Sequence, residues 1–376
     1  MYKSSITRIT LAAAAAFALL SGIASAQELR LTPGLPPAHP GHTPLFTVFQ
    51  EQLEERSNGE LSGQILGTEV ANIGNMRNAI TSGLSDAGMF LPAYFPSDLP
   101  NINLVGDLSF MGNNPMAMAA AMTEYVVTCD DCQAELQRLG VVYTSSHSSD
   151  IYHLLTTEPV ESPDDLRGLR LRVGGPHYAR WVESMGGSPS NTSVGETFEA
   201  ISQGVLDGTL TSTSDMISFR LDDVVDYVTT LPLGTYHSTI SHTFNNRTWN
   251  NLTPEQRRIV AESSSYASTM ATQRWGYELP EIATSNALDK GIEFLDPTPE
   301  LIEASERFIA GDLDSIPGRA EGEDGLTDAS AKVARFQVLV NKWEDIAESV
   351  DNDPAAVAEA MSREIWDEVD FATYGL

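Results

Sequence analysis

The chain has 376 residues, with 22 Lys and Arg against 52 Asp and Glu and a formal net charge of −30. That charge excludes a general nucleic-acid binder, which needs clustered cations to neutralise phosphates. It reads mainly as solubility, and the length suits two domains.

Lys3 and Arg8 precede an apolar run over residues 11–20, and Ala24-Ser25-Ala26 is a small-x-small cleavage site. This predicts a secretory signal peptide over residues 1–26. The run is short against the ~20 residues of a membrane span, so an exported, periplasmic protein with no membrane insertion is expected.

Residues 28–32 read as a first strand, followed by a Pro/Gly/His loop over 33–44. Leu45, Phe46, Phe49 and Leu53 have helical spacing over 45–56, and Asn58-Gly59 supplies the turn. A strand at 61–66, a helix at 73–82 capped by Gly83, and a strand at 87–91 follow. One long helix is expected over 116–139 and a strand over 141–145. The βα alternation predicts an α/β protein with mainly parallel sheets.

Cys129 and Cys132 are the only cysteines. In an exported protein a local disulfide is the default. A thioredoxin-like pair should open a helix after a strand; here the preceding segment looks helical.

Two segments repeat at an offset of 121 residues: residues 78–86 and 199–207 both carry Ala-Ile-x-x-Gly-x-x-Asp. Helix end, glycine cap and strand start recur, as two similar α/β lobes would produce.

Residues 158–165 form a Pro-containing turn, 169–173 a strand, and 177–185 a helix closed by Gly186-Gly187. Thr253-Pro254-Glu255 is a helix start. The pattern runs to Lys290, with Gly276 and Pro280 as kink points. At roughly 50 Å by helical rise, that helix is long enough to bridge two lobes. Acidic helices are expected over 300–310, 328–348 and 354–368.

No catalytic motif stands out: there is no phosphate loop and no GxGxxG. Residues 83–87 faintly resemble a nucleophile elbow, but in helix-to-strand order. His39 with His42, and His237 with His242, leave a metal-binding receptor as one alternative, and an exported hydrolase as another. A sensor subunit that reports occupancy to a signalling receptor would use the same fold.

In the strand 169–173, Leu169, Leu171 and Val173 share one face and Arg170 and Arg172 the other. An Arg at a strand's C-terminal end can grip a carboxylate through two parallel hydrogen bonds. From spacing alone, two arginines on a strand are more often a solvated face.

Asp165-Leu166-Arg167-Gly168-Leu169-Arg170-Leu171-Arg172-Val173 resembles the Asp-Leu-Lys-Gly-Leu-Lys-x-Arg-Val pattern of the solute-binding proteins of tripartite ATP-independent periplasmic (TRAP) transporters. Gly187-Ser188-Pro189, the stretch from Ser193 to Phe198, and Ala200 to Gly208 follow in the family's order. Arg56-Ser57-Asn58-Gly59-Glu60-Leu61 and the Thr253 helix start match as well. The resemblance spans about 30–310.

It implies an α/β, two-lobed periplasmic binding protein (type II-like flytrap) with a long helix bridging the lobes. Residues 27–149 plus 238–280 would form lobe I, and 150–237 plus 281–376 lobe II with the C-terminal helices. Its function would be to capture a small organic anion and deliver it to a TRAP-type secondary transporter, so the expected partners are a carboxylate and that transporter's membrane subunits. Catalysis, cofactor and metal are not expected.

The family's carboxylate-gripping Arg carries over to Arg172. Two departures stand out. A second Arg common in the family falls near Tyr152, and its Asn after Asp-Gly is replaced by the stretch with Thr211, Ser212 and Asp215. A single clamp with hydroxyls and one acid suits a monocarboxylate bearing hydroxyl or amino groups at least as well as a dicarboxylate. Tyr94, Tyr236 and His39 complete the expected binding set.

Overall fold

The computed structural model describes residues 27–376; the expected signal peptide, 1–26, lies outside them. Its strands, in chain order, are β1 (Gln27–Thr32), β2 (Leu61–Ile65), β3 (Ala87–Phe90), β4 (Val141–Val142), β5 (His153–Thr156), β6 (Arg170–Arg172), β7 (Ser188–Ser190), β8 (Gly208–Thr211), β9 (Tyr227–Thr229), β10 (Ile240–Asn245) and β11 (Glu293–Leu295). They form two sheets, one ordered β2-β1-β3-β10-β4 and the other β11-β9-β5-β8-β6-β7. Each sheet is the centre of one lobe.

The sheets are mixed rather than mainly parallel. β1 runs parallel to β2 and β3, and β6 parallel to β7 and β8. β10 is antiparallel to β3 and β4, and β5 to β8 and β9. The exceptions have one cause. β5 and β10 are the first strands after the chain crosses from one lobe to the other, and each enters its new sheet from the cleft side. A βαβ crossover, the device that keeps neighbours parallel, is not available to them.

The repeated segments occupy matching places. Gly83 (φ 79°) and Gly204 (φ 66°) are both left-handed, as glycine allows at little cost. Asp86 receives the Arg30 backbone N–H and side chain at 2.9 Å, and returns its own N–H to the Arg30 carbonyl. Asp207 does the same with Arg170, at 2.8 and 3.0 Å. Each lobe therefore has an Arg-Leu strand pinned to the Asp that starts the next parallel strand.

The expected helix over 116–139 is two helices, Pro115–Val127 and Asp130–Leu139. Cys129 is extended (φ −102°, ψ 103°) and caps the second, its Sγ accepting from the Cys132 N–H. Cys129 and Cys132 are disulfide-bonded and buried. The pair does open a helix, but a helix precedes it. The expected strand 141–145 stops after Val142, and residues 143–149 continue as buried chain without sheet pairing.

The long segment is helical throughout: Pro254–Gln273, a π-turn at Arg274–Glu278, and Leu279–Lys290. Thr253 and Gln256 form a capping box at its start. Its first part packs on the helix Leu45–Arg56, its last part on the short helix Asp215–Ser218 of the other lobe. The π-turn falls at Gly276, where a Cβ would come within 2.7 Å of Pro115.

The tail differs from expectation in placement. Helices Ala329–Ser349 and Pro354–Glu364 pack on Pro115–Val127 and Pro254–Gln273, in the first lobe. Val333, Phe336, Trp343, Val357 and Met361 close over that core. The grouping of 281–376 with lobe II is corrected to that extent. Helix Pro299–Gly322, longer than expected, touches both lobes.

Asp86 also accepts from Thr248 Oγ1 at 2.8 Å. Burial raises its pKa, but the Arg30 bonds and Thr248 outweigh this and hold it below the usual carboxylate value. Its contribution is present above the unfolded-state pKa and is lost as pH falls through the lower folded value. Asp86→Ala should cost about 1–3 kcal/mol by stranding those donors, and more than Arg30→Ala. Urea unfolding at pH 7 and at pH 3 checks both the order and its disappearance in acid.

Candidate functional site

Arg172 ends β6, at the edge of its sheet that faces the other lobe. Its neighbour on the strand, Arg170, is spent on Asp207 at the surface, whereas Arg172 is only 2% exposed. Arg172 donates through Nε to the Thr192 carbonyl (3.0 Å) and through Nη2 to the Tyr94 hydroxyl (2.9 Å). Among the described residues, no carboxylate forms an ion pair with it. Burial opposes its charge, but Tyr94, Tyr152, Asp215 and Tyr236 around it outweigh this, and its pKa lies above the ordinary guanidinium value.

Arg172 lines a cavity together with Tyr94, Tyr152, Tyr236, Asp215 and His39. Each arrives from a different piece of chain. Tyr94 closes the 3-10 turn after β3. His39 lies in the loop after β1 and Asp215 opens the short helix after β8. Tyr152 and Tyr236 lie on the two extended crossovers, tied together by Tyr152 N–H to the Gly234 carbonyl (2.8 Å) and Ser149 N–H to the Tyr236 carbonyl (3.1 Å). The rings of Tyr152 and Tyr236 are stacked 5.7 Å apart, and Tyr178 stacks on the other side of Tyr152 at 5.3 Å.

Tyr94 joins the lobes. Its hydroxyl accepts from Arg172 and from the Val194 N–H (3.0 Å), both in the second lobe. With both lone pairs used, its own proton is free to donate. The Tyr236 hydroxyl is buried without a partner, as is Trp275 Nε1. Donors thus predominate around the cavity.

Asp215 is its one acid. Burial pushes its carboxyl up to about 6, against the Thr211 hydroxyl and Arg172, which lower it. Oδ2 accepts from Thr211 Oγ1, while Oδ1 is buried and has no hydrogen-bond partner. His39 Nε2 stands 3.8 Å from Oδ1, beyond a hydrogen bond. His39 Nδ1 accepts the Gly41 N–H at 2.8 Å, and burial drives the ring's pKa down to about 3, so it faces Asp215 as neutral imidazole. The contact is not an ion pair at neutral pH.

Thr211 and Ser212 do not line the cavity; they sit behind it. Thr211 holds Asp215, and Ser212 Oγ accepts the Ser214 N–H at 3.0 Å. Several wall residues escaped the sequence reading: Leu35, Met89, Leu91, Val194 and Trp275. The apolar ones carry no chemical signal. Trp275 could have been found, since it adjoins the Gly276 kink in the bridging helix.

The four histidines considered for metal lie apart. His237 Nε2 bonds the Val105 carbonyl at 3.0 Å, and its ring stacks on Phe336. His242 bonds Ser264 at 2.7 Å between Phe46 and Phe49, and His42 bonds the Leu35 carbonyl at 2.9 Å. Among the described residues, no group of three or more ligating side chains converges.

The model of bacterial extracellular solute-binding protein, family 7 (DctP), matches residues 33–314. A solute-binding protein of Chromohalobacter salexigens is 24% identical over 265 residues, covering 69% of this chain and 76% of its own. Two solved structures share the fold. One is a marine metagenome TRAP solute-binding protein specific for aromatic acid ligands, in complex with 3-hydroxybenzoate. It is 20% identical, with a TM-score of 0.75 over 85% of this chain and 99% of its own. The other is a TRAP periplasmic solute-binding protein of Bordetella bronchiseptica with bound mandelate, 24% identical, TM-score 0.72 over 84% and 99%.

Tyr94→Phe removes the acceptor shared by Arg172 and Val194 while keeping the ring. It should weaken ligand binding about tenfold, the worth of roughly one charge-assisted hydrogen bond. It should also expand the ligand-free protein, as small-angle scattering would show. Unchanged affinity and dimensions would remove Tyr94 as the latch between lobes.

Proposed function

Because the chain belongs to the bacterial extracellular solute-binding protein family 7, the DctP family, we propose that it is a periplasmic receptor for a small carboxylate, which it delivers to a TRAP-type secondary transporter. The observation that carries this reading is Arg172. It is a buried guanidinium in a cavity lined from both lobes, with no acid among the described residues paired to it and Nη1 free of hydrogen bonds to them.

A carboxylate would settle on Nη1, with the Tyr94 and Tyr236 hydroxyls as further donors. Charge-assisted bonds of this kind are about twice as strong as neutral ones, and the low dielectric of a closed site strengthens them. Tyr152 and Tyr236 contribute aromatic lining, and Leu35, Met89, Leu91 and Val194 an apolar wall. That lining suits a compact ring-bearing monocarboxylate. The aromatic acids and mandelate held by the two structural relatives support the same class. A dicarboxylate finds no second guanidinium: Tyr152 occupies the place where the family resemblance puts one.

The cycle follows from the placement of the contacts. Tyr94 comes from one lobe and Arg172 from the other, so the full donor set exists only when the lobes are together. A ligand that uses both sides favours the closed state by its differential affinity. We take 27–149 with 238–273 and the C-terminal helices as the first lobe and 150–237 with 279–295 as the second. The π-turn and the two crossovers join them.

Arg172→Ala should lose about a hundredfold in affinity, ~3 kcal/mol for removing one member of a buried charge pair. Isothermal titration with an organic acid first identified by thermal shift tests it. Wild-type affinity in the variant would remove Arg172 as the clamp.

A further inference from the structure

The charge inventory of the cavity says more about the ligand than its shape does. Arg172 is a full positive charge and Asp215 a negative one. The other titratable groups facing Asp215 are His39, driven down to about 3 by burial and neutral, and Tyr152, whose hydroxyl burial keeps protonated; His147, behind His39, is also driven down to about 3 and neutral. Asp150, behind Asp215, is pushed by burial to about 8 and is uncharged at pH 7. The empty cavity is therefore balanced. A plain anion would leave one uncompensated buried negative charge, which is costly in a closed site. A dicarboxylate would leave two.

The polar atoms are sorted the same way. The donors with spare capacity are Arg172 Nη1, the Tyr94 and Tyr236 hydroxyls and Trp275 Nε1. The spare acceptor is Asp215 Oδ1, on a side chain 1% exposed. Aromatic residues share the cavity with it: Tyr152, Tyr236 and Trp275 line the same walls, and His39, 3.8 Å from Oδ1, packs on the Trp275 ring at 5.0 Å and on Phe219 at 5.3 Å. An acid among ring faces is a site for an organic cation.

We propose that the cavity takes a zwitterion, a compact amino acid or N-alkylated amino acid whose carboxylate sits on Arg172 and whose ammonium sits on Asp215. This rests on the carboxylate-receptor reading and makes Asp215 its specificity-determining residue. The cavity stays neutral when filled, and Oδ1 gains the donor it lacks. Thr211, by occupying Oδ2, turns Oδ1 toward the ligand.

The test uses matched pairs that differ in one group: phenylglycine with mandelate, phenylalanine with 3-phenyllactate, and other neutral amino acids and betaines with their hydroxy- or des-amino acids. Titration of the full chain at pH 7 should show the amino member binding at least tenfold tighter. Asp215→Asn, close to isosteric, should erase that preference while circular dichroism stays native. The pH dependence gives an independent sign. A zwitterion needs ionised Asp215, so its affinity falls as pH drops from 7 to 5. A plain anion is relieved by protonating Asp215, so its affinity rises.

Equal or tighter binding of the hydroxy acids, a preference that survives in Asp215→Asn, or affinity rising in acid would each overturn the zwitterion. Carboxylates that bind through Arg172 while no amino acid does would overturn it and leave the receptor reading intact. Failure of every carboxylate to bind would overturn both.

Discussion

A guanidinium held out of water is the constraint on which the rest of the structure depends. Arg172 cannot shed its proton, so its charge must be met wherever it is buried. The second lobe alone offers it the Thr192 carbonyl; the first lobe brings Tyr94. Burial of this one side chain thereby needs both lobes and their approach. The protein as a whole carries a net charge of −30, a poor field for attracting anions at long range, but exposed charges are screened beyond a Debye length of about 8–10 Å. Inside the closed cavity the nearest charges decide, and the nearest are Arg172 and Asp215.

The scaffold that presents Arg172 is used twice. Arg30-Leu31-Thr32 in β1 and Arg170-Leu171-Arg172 in β6 have the same pairing with the following parallel strand: Leu31 opposite Ala87 and Thr32 opposite Gly88, Leu171 opposite Gly208 and Arg172 opposite Thr209. Both first arginines are fixed by an Asp after a left-handed glycine. The difference falls on the third residue. Thr32 is capped by the Ser85 hydroxyl at 2.5 Å and ends as packing, whereas Arg172 reaches into the cleft. The first residue of each unit, an arginine, orders its strand; the third, in the second copy, is a buried guanidinium whose Nη1 has no hydrogen bond to the described residues.

That duplication was legible in the sequence because glycine, aspartate and helix-end positions are set by backbone geometry and recur wherever the geometry does. Arg172 was legible through strand alternation together with the family resemblance; alternation alone could not separate it from Arg170. Tyr94, Tyr236, Asp215 and His39 are legible from their place beside predicted elements and Tyr152 only from the family resemblance; all five line the cavity. The direction of β5 and β10 was not legible, since lobe crossing is a long-range fact with no local pattern. Nor was the break at Cys129: both flanks have helical composition, and the stop comes from the Cys129 side chain taking over as cap. The tail's attachment to the first lobe was hidden for a related reason. An amphipathic helix shows that one face is buried, but not against what.

The segment from Thr144 to Asp150 shows how such a cleft is built. It forms no strand ladder with either sheet, yet it is buried; backbone meets the Ser145 carbonyl (from Ser241 N–H) and the Ser149 N–H (by the Tyr236 carbonyl), and side chains must meet much of the rest. Helix Pro254–Gln273 supplies them: Ser264 bonds Thr144 and Ser145, Ser268 bonds Ser145 and Ser241, and Thr272 accepts the Ser148 N–H. Thr239, from the other crossover, bonds the His147 carbonyl and N–H. Two extended crossovers and one helix, each rich in short hydroxyls, therefore lie against each other at the junction. A hydroxyl rotates and exchanges partners without moving its backbone, which an aliphatic contact of the same area cannot do. One hydrophobic cluster crosses this seam, holding Leu31, Phe46 and Met89 from the first lobe together with Leu154, Leu171 and Leu210 from the second. These hydroxyl contacts hold in register the two crossovers that carry Tyr152 and Tyr236, two aromatic walls of the cavity.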